Sequence, residues 1–270
     1  PQSRNQSRNL SQVNTPFLDK FDHVVVLMLE NRSFDNLLGF LYVHDQPRQF
    51  LGRGEPVFRG VAGRDDLSNP DDQGNPIYVG RAPSETEADM CHPCPDPGEF
   101  YQPHVNCQLY GQDEVPGDSS ALPDPAPMNG FVRDYIRSLG AQTSWSGEAP
   151  TYENYRVIMN CFGPEAVPVL NGLARNFAVS DEWFCSVPSQ TFCNRSFFHS
   201  AQSRGWVTNS DYVKWPSYNH AVTIFERLSA KLGPGRDWRI YWDHDNIHSL
   251  TRLLTPAWKT PVSTPTYVTS

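Results

Sequence analysis

The amino-acid sequence predicts an α/β fold, on two observations. His23-Val-Val-Val-Leu-Met-Leu29 is a continuous apolar, β-branched run, the pattern of a strand buried on both faces of a parallel sheet. Behind it, strand-like and helix-like segments alternate without an internal repeat, as α/β architectures do.

Each element has a local reason. Residues 1–20 are a polar arm without periodicity. After the apolar run, Ser33 is placed to cap a helix, with Phe34, Leu37, Leu38 and Leu41 at helical spacing behind it. From 45 to 127 the pattern dissolves into Gly, Pro, Asp and Asn, including Asn69-Pro-Asp-Asp-Gln-Gly-Asn-Pro76. That length of irregular chain is expected to be a functional insertion and a candidate wall of a site. Helices are predicted over 129–139, 165–175, 191–202 and 220–232, and further strands over Phe177-Ala-Val-Ser180 and Trp238-Arg-Ile-Tyr-Trp242. No linker interrupts the alternation, so residues 21–270 are expected to form a single domain.

Composition narrows the function. With 22 basic and 30 acidic residues the net charge is −8, which argues against tracking nucleic-acid phosphates or adhering to anionic membranes. The longest apolar runs, 24–29 and 37–43, fall short of the roughly 18 residues of a transmembrane helix. Six cysteines, at 91, 94, 107, 161, 185 and 193, suit an oxidising compartment and hence a secreted or periplasmic protein. No apolar leader is visible at Pro1. Glycosylation sequons occur at Asn5, Asn9, Asn31 and Asn194. Neither a Walker A sequence nor a G-x-S-x-G elbow is found, which weakens nucleotide-triphosphate and lipase readings.

Three constellations carry candidate chemistry. Glu30-Asn31-Arg32-Ser33 stands where the first strand is expected to end, a place where α/β sheets bind ligands and where oxygen donors suit a hard cation. The bland alternative is an ordinary polar strand exit. In Ser186-Val-Pro-Ser-Gln-Thr-Phe-Cys-Asn-Arg-Ser196, Thr191 falls at a helix start, where unpaired N–H groups stabilise an alkoxide or a phosphate. Asn194 lies on the same face. Here the alternative is a plain threonine cap with a surface asparagine. Cys91-His-Pro-Cys94, with His104 and Cys107 behind it, reads either as a disulfide framework or as zinc ligands, with disulfides favoured. His199, two turns beyond Thr191, is read as a core histidine, and Asp243-His244-Asp245 as a solvated loop.

The strings His23-Val-Val-Val-Leu-Met-Leu-Glu-Asn-Arg-Ser-Phe-Asp35 and Phe177-Ala-Val-Ser-Asp-Glu-Trp-Phe-Cys-Ser-Val-Pro-Ser-Gln-Thr-Phe-Cys-Asn-Arg195 resemble two signature blocks of one family. It is the phosphoesterase family of bacterial phospholipases C and acid phosphatases, which includes plant non-specific phospholipases C and is related to alkaline phosphatases. Asp96-Pro-Gly98 with His104-Val-Asn106, and Trp238-Arg-Ile-Tyr241, resemble further family segments. The resemblance implies a three-layer α/β/α sandwich and metal-dependent hydrolysis of phosphate esters through a phosphothreonine. By position it implies that Glu30, Asn31 and Thr191 hold a divalent cation, that Thr191 is the nucleophile, that Asn194 helps hold the phosphoryl group, and that His104 is a pocket or acid–base residue. The family's downstream Asp-Glu-x-Gly-Gly block has no counterpart here. The resemblance therefore implies a shortened C-terminus, with a second chain or further segment completing the site. The alternative function is a non-catalytic extracellular binding or scaffold protein that keeps an incomplete phosphoesterase fold.

Overall fold

The computed structural model describes residues 20–29, 31–51, 54–82, 94–114, 119–147, 149–209, 215, 220–233, 238–242, 251 and 267–269. The chain divides into two compact units, Pro1–Arg32 and Ser33–Ser270.

In the first unit, the described part of the apolar run does not form the predicted strand. Residues 23–29 join no ladder among the described residues, and Val24, Val25, Val26, Leu27 and Leu29 are between 63% and 89% exposed. A strand exists only through its neighbours' hydrogen bonds, and no described strand forms a ladder with 23–29.

The second unit mixes helices with small ladders. In chain order the helices are α1 (Phe34–Leu38), α2 (Asn106–Tyr110), α3 (Phe131–Ser146), α4 (Tyr152–Tyr155), α5 (Pro168–Asn176), α6 (Thr191–Ser200) and α7 (Ile224–Leu232). The strands are β1 (Ser68–Pro70), β2 (Pro76–Tyr78), β3 (Gly80–Arg81), β4 (Asn160–Cys161), β5 (Ile240–Trp242) and β6 (Tyr267–Thr269). β1 and β2 form an antiparallel hairpin, whereas β3–β4 and β5–β6 pair in parallel. Mixed helix and strand content agrees with the expected α/β class. The Phe177–Ser180 segment departs from expectation: it joins no ladder among the described residues, and Phe177 is 81% exposed.

Several helix starts follow their local signals. Ser33 caps α1, its Oγ accepting from Asn36 N at 3.2 Å. Thr223 and Glu226 close a reciprocal capping box on α7, satisfying two backbone donors that the helix cannot. α3 has glycine at its N-cap and borrows a cap from the hairpin: Asn69 Oδ1 accepts from Phe131 N, and Asn69 Nδ2 donates to Met128 O, both at 2.8 Å. The hairpin turn is held by Asp71, whose carboxylate accepts from Gln73 N, Asn75 N, Asn75 Nδ2 and Tyr155 Oη. Part of the expected irregular insertion is thus an ordered brace for α3.

The buried apolar side chains gather in separate clusters. Leu38 and Leu41 pack with Ala174 of α5, and Arg175 ties the same helices by donating to Leu41 O at 2.6 Å. Val187, Phe192, Cys193 and Trp215 form a second cluster under the first turns of α6. It fixes the end of the helix that bears Thr191. Among the described residues no helix is long and apolar enough to cross a membrane.

Candidate active site

Thr191 opens α6 as expected, but it is not the cap. Gln190 occupies the cap position with extended backbone, φ −75° and ψ 179°. The capping hydrogen bond comes from farther along the chain: Asn209 Oδ1 accepts from Phe192 N at 2.8 Å, while Asn209 N donates to Gln190 Oε1 at 2.9 Å. Helix-end satisfaction is therefore shared without the threonine, and its hydroxyl has no hydrogen-bond partner among the described residues. A half-buried, uncommitted hydroxyl at the positive end of a helix dipole is where an attacking oxygen gains most from its surroundings.

Asn194 braces the loop before that hydroxyl. Its Oδ1 accepts from Val187 N at 2.9 Å, and its Nδ2 donates to Val187 O, Ser189 O and Gln190 O at 3.0, 3.0 and 3.1 Å. Both ends of the amide are spent on backbone. In this arrangement Asn194 shapes the loop that leads to Thr191, and its occupied nitrogen is a poor glycan acceptor.

His104 lies in a second cluster of the same unit. Its Nδ1 is 2.8 Å from Asp134 Oδ1, and the Asp134 side chain is 1% exposed against 20% for the histidine. Gln108 Nε2 donates to Asp134 Oδ2 at 2.8 Å and to Gly98 O at 2.7 Å. Gly98 is needed for this packing, since a Cβ there would stand 1.9 Å from His104 Nδ1. Asp134 and Gln108, the neighbours that hold His104, are not marked by the sequence. No local pattern links His104 to a carboxylate 30 positions on.

His199 is the core residue that its spacing suggested. It is 6% exposed, sits between the rings of Phe198 and Phe225 at 5.3 and 5.2 Å, and has no partner for either ring nitrogen among the described residues. Burial first, and Arg195 second, push its pKa down to about 4, so it is neutral and does not carry protons near pH 7.

The expected cation ligands divide differently. Glu30 lies outside the described residues, as do Cys91 and Asp243-His244-Asp245. Asn31 belongs to the first unit and adopts φ 75°, a left-handed conformation that asparagine tolerates. Among the described residues no three His, Cys, Asp or Glu side chains gather as a metal site. The zinc alternative loses His104 Nδ1 to Asp134, and Cys107 is buried with its thiol 3.7 Å from Gly130 O.

The expected disulfide framework is not formed among the described cysteines. Cys94, Cys107, Cys161, Cys185 and Cys193 are all free thiols. Cys107 and Cys193 each have 0% exposure, and Cys193 belongs to the cluster under α6, so burial accounts for residues that spacing alone suggested were paired.

Comparison with known proteins places the chain. The profile of the phosphoesterase family matches residues 21–270. Non-specific phospholipase C3 of Arabidopsis thaliana is 34% identical over 209 residues, 76% of this chain and 34% of that protein. Non-specific phospholipase C1 of the same plant is 33% identical over 228 residues, covering 82% of this chain and 34% of its own length. The chain thus spans about a third of the length of the curated relatives it matches. Matched across nearly all of its own sequence, including both stretches around Asn31 and Thr191, the chain belongs to the phosphoesterase family.

Proposed function

We propose that this chain serves in the hydrolysis of phosphate esters, of the phospholipase C or acid phosphatase type, with Thr191 as nucleophile. The observation that supports it is the Thr191 hydroxyl, at the start of α6 and free of hydrogen bonds among the described residues, in a member of the phosphoesterase family. The relatives' names point to phospholipid head groups as substrates, and the shared chemistry is a phosphate ester. We extend the proposal to the fold: an alkaline-phosphatase-like α/β/α sandwich, the architecture that the family resemblance implies for this phosphoesterase.

Attack of Thr191 Oγ1 on phosphorus forms a phosphothreonine and expels the alcohol, and water then cleaves that ester to return the hydroxyl. First-turn N–H groups of α6 and its dipole favour the negative charge gathered there. Asn194 keeps the 187–190 loop in place during both steps by holding its carbonyls. Glu30, Asn31 and Thr191 offer carboxylate, amide and hydroxyl oxygens, a donor set that fits a hard divalent cation. Such an ion, when bound, neutralises phosphoryl charge and lowers the pKa of a coordinated hydroxyl.

The test is turnover of p-nitrophenyl phosphate and p-nitrophenylphosphocholine by the wild-type chain and by Thr191→Ala, each with and without chelator. Loss of turnover in the variant, and a phosphorylated threonine trapped by acid quench in the wild type, support the reading. Undiminished turnover by Thr191→Ala removes the assigned nucleophile, while ester binding without any turnover favours the non-catalytic alternative.

A further inference from the structure

Two carboxamides beside Thr191 are locked by their oxygens. Gln190, the cap residue of α6, accepts from Asn209 N at Oε1 over 2.9 Å, and Asn209 accepts from Phe192 N at Oδ1 over 2.8 Å. A backbone N–H is met by an oxygen and not by an NH₂ group, so these two bonds fix which end of each amide is which. What remains is Gln190 Nε2 and Asn209 Nδ2. Neither nitrogen has a hydrogen-bond partner among the described residues.

Both amides are half-buried, as is Thr191. Asn209 Nδ2 shares a carbon with the anchored Oδ1, which keeps it within about 5 Å of Phe192 N, the backbone group that follows Thr191. Gln190 is the residue before Thr191, so the unspent donors belong to groups on either side of the hydroxyl. With both oxygens occupied, the pair offers donors alone, and that chemistry selects an anion over a cation. Asn194 is the opposite case. Its nitrogen is shared among Val187 O, Ser189 O and Gln190 O, and it has nothing left to offer a ligand.

We propose that Gln190 and Asn209 are the donor pair that holds the non-bridging phosphoryl oxygens of the ester beside Thr191, the role that the committed amide of Asn194 does not fill. This rests on the functional reading above. Charge in phosphoryl transfer is spread over the oxygens that stay on phosphorus. Donors already fixed by bonds at their other end meet that charge without reorganising.

Side-chain amide NMR of the wild-type chain tests the pair without reference to turnover. On titration with inorganic phosphate, the NH₂ signals of Gln190 and Asn209 are expected to shift saturably while those of Asn194 stay in place. Saturable shifts at Asn194 instead, or none at Gln190 and Asn209, overturn the proposal. Turnover supplies a second arm. Asn209→Asp keeps an oxygen to cap Phe192 N and deletes the NH₂. Hydrogen exchange at Phe192 N is expected to match the wild type, while kcat on p-nitrophenyl phosphate falls about 100-fold. Gln190→Glu keeps the acceptor for Asn209 N and is expected to lose turnover to a similar extent. Wild-type turnover by Asn209→Asp beside a loss in Asn209→Ala reduces Asn209 to a helix cap and overturns the proposal. Full activity of Thr191→Ala overturns the functional reading instead, and the phosphate titration then decides the donor pair by itself.

Discussion

Asn194 closes on Val187 from both ends of its amide, Oδ1 accepting the Val187 N–H at 2.9 Å and Nδ2 donating to the Val187 carbonyl at 3.0 Å. The same nitrogen reaches Ser189 O and Gln190 O, so one side chain in α6 holds the extended loop that delivers Thr191. A tertiary amide clamp of this kind does what a strand ladder does elsewhere: it pairs backbone groups that would otherwise be buried unpaired.

Removing that clamp leaves the loop's carbonyls and one N–H without their partner. Asn194→Ala is expected to destabilise the protein by about 1–3 kcal/mol, read from the denaturation midpoint, and to speed hydrogen exchange at Val187 N. Asn194→Asp is informative because it keeps the acceptor and deletes the donors. If exchange at Val187 stays slow in both variants, the loop is held by something else.

Local and non-local information separate sharply along this chain. Ser33 announces the start of α1 because a cap and its helix are three residues apart, and Thr191 is the first residue of α6 just where the change of pattern after Pro188 suggested. The hairpin at 68–78 went unread because a Pro- and Asp-rich turn with three-residue strands looks like irregular chain until its partner strand is seen. The runs at 23–29 and 177–180 have strand composition, yet composition supplies no partner, and none is present among the described residues. Asp134 was invisible for the same reason. Its meaning lies in His104, a residue joined to it only by folding.

His199 makes the stability of the protein sensitive to acid. The unfolded chain takes up a proton at this residue near pH 6.5, but the folded chain takes it up only near 4, because burial opposes the charged ring. Between those values the unfolded state binds more protons, so stability falls as pH is lowered across the window and levels off beneath it. The shift corresponds to a loss on the order of 3 kcal/mol. His199→Phe places an apolar ring among Phe198 and Phe225 and is expected to remove this part of the acid sensitivity. Equal slopes of stability against pH for variant and wild type from 6.5 to 4 would assign the sensitivity to other groups.

The free thiols differ in reach. Cys185 is exposed and Cys94 half-buried, whereas Cys107, Cys161 and Cys193 are buried. Burial, with Asp35 adding to it, pushes the Cys161 thiol up to about 12, and burial pushes Cys193 up to about 11, leaving almost no thiolate at pH 8. A disulfide reagent is therefore expected to label Cys185 within the fast phase on the native protein. Unfolding without reductant should then release the three slow thiols. Their failure to appear on unfolding would restore the disulfide framework.

Gly130 sets the start of α3 against α2 at a distance no other residue permits. A Cβ at this position would stand 1.7 Å from Cys107 O, and that oxygen belongs to backbone that cannot swing aside. Gly130→Ala must push α2 away from α3, and overpacking of this kind costs about 1–3 kcal/mol, sometimes more. Because His104 precedes α2 and Asp134 follows Gly130, the same displacement should lengthen their contact. Two readouts are expected to move together: a lower melting temperature, and a shift of the ring nitrogen-15 signal of His104 in the NMR spectrum. A lowered melting temperature with that signal unshifted would show that the imidazole and its carboxylate travel as one body, and that the α2–α3 contact does not set their spacing.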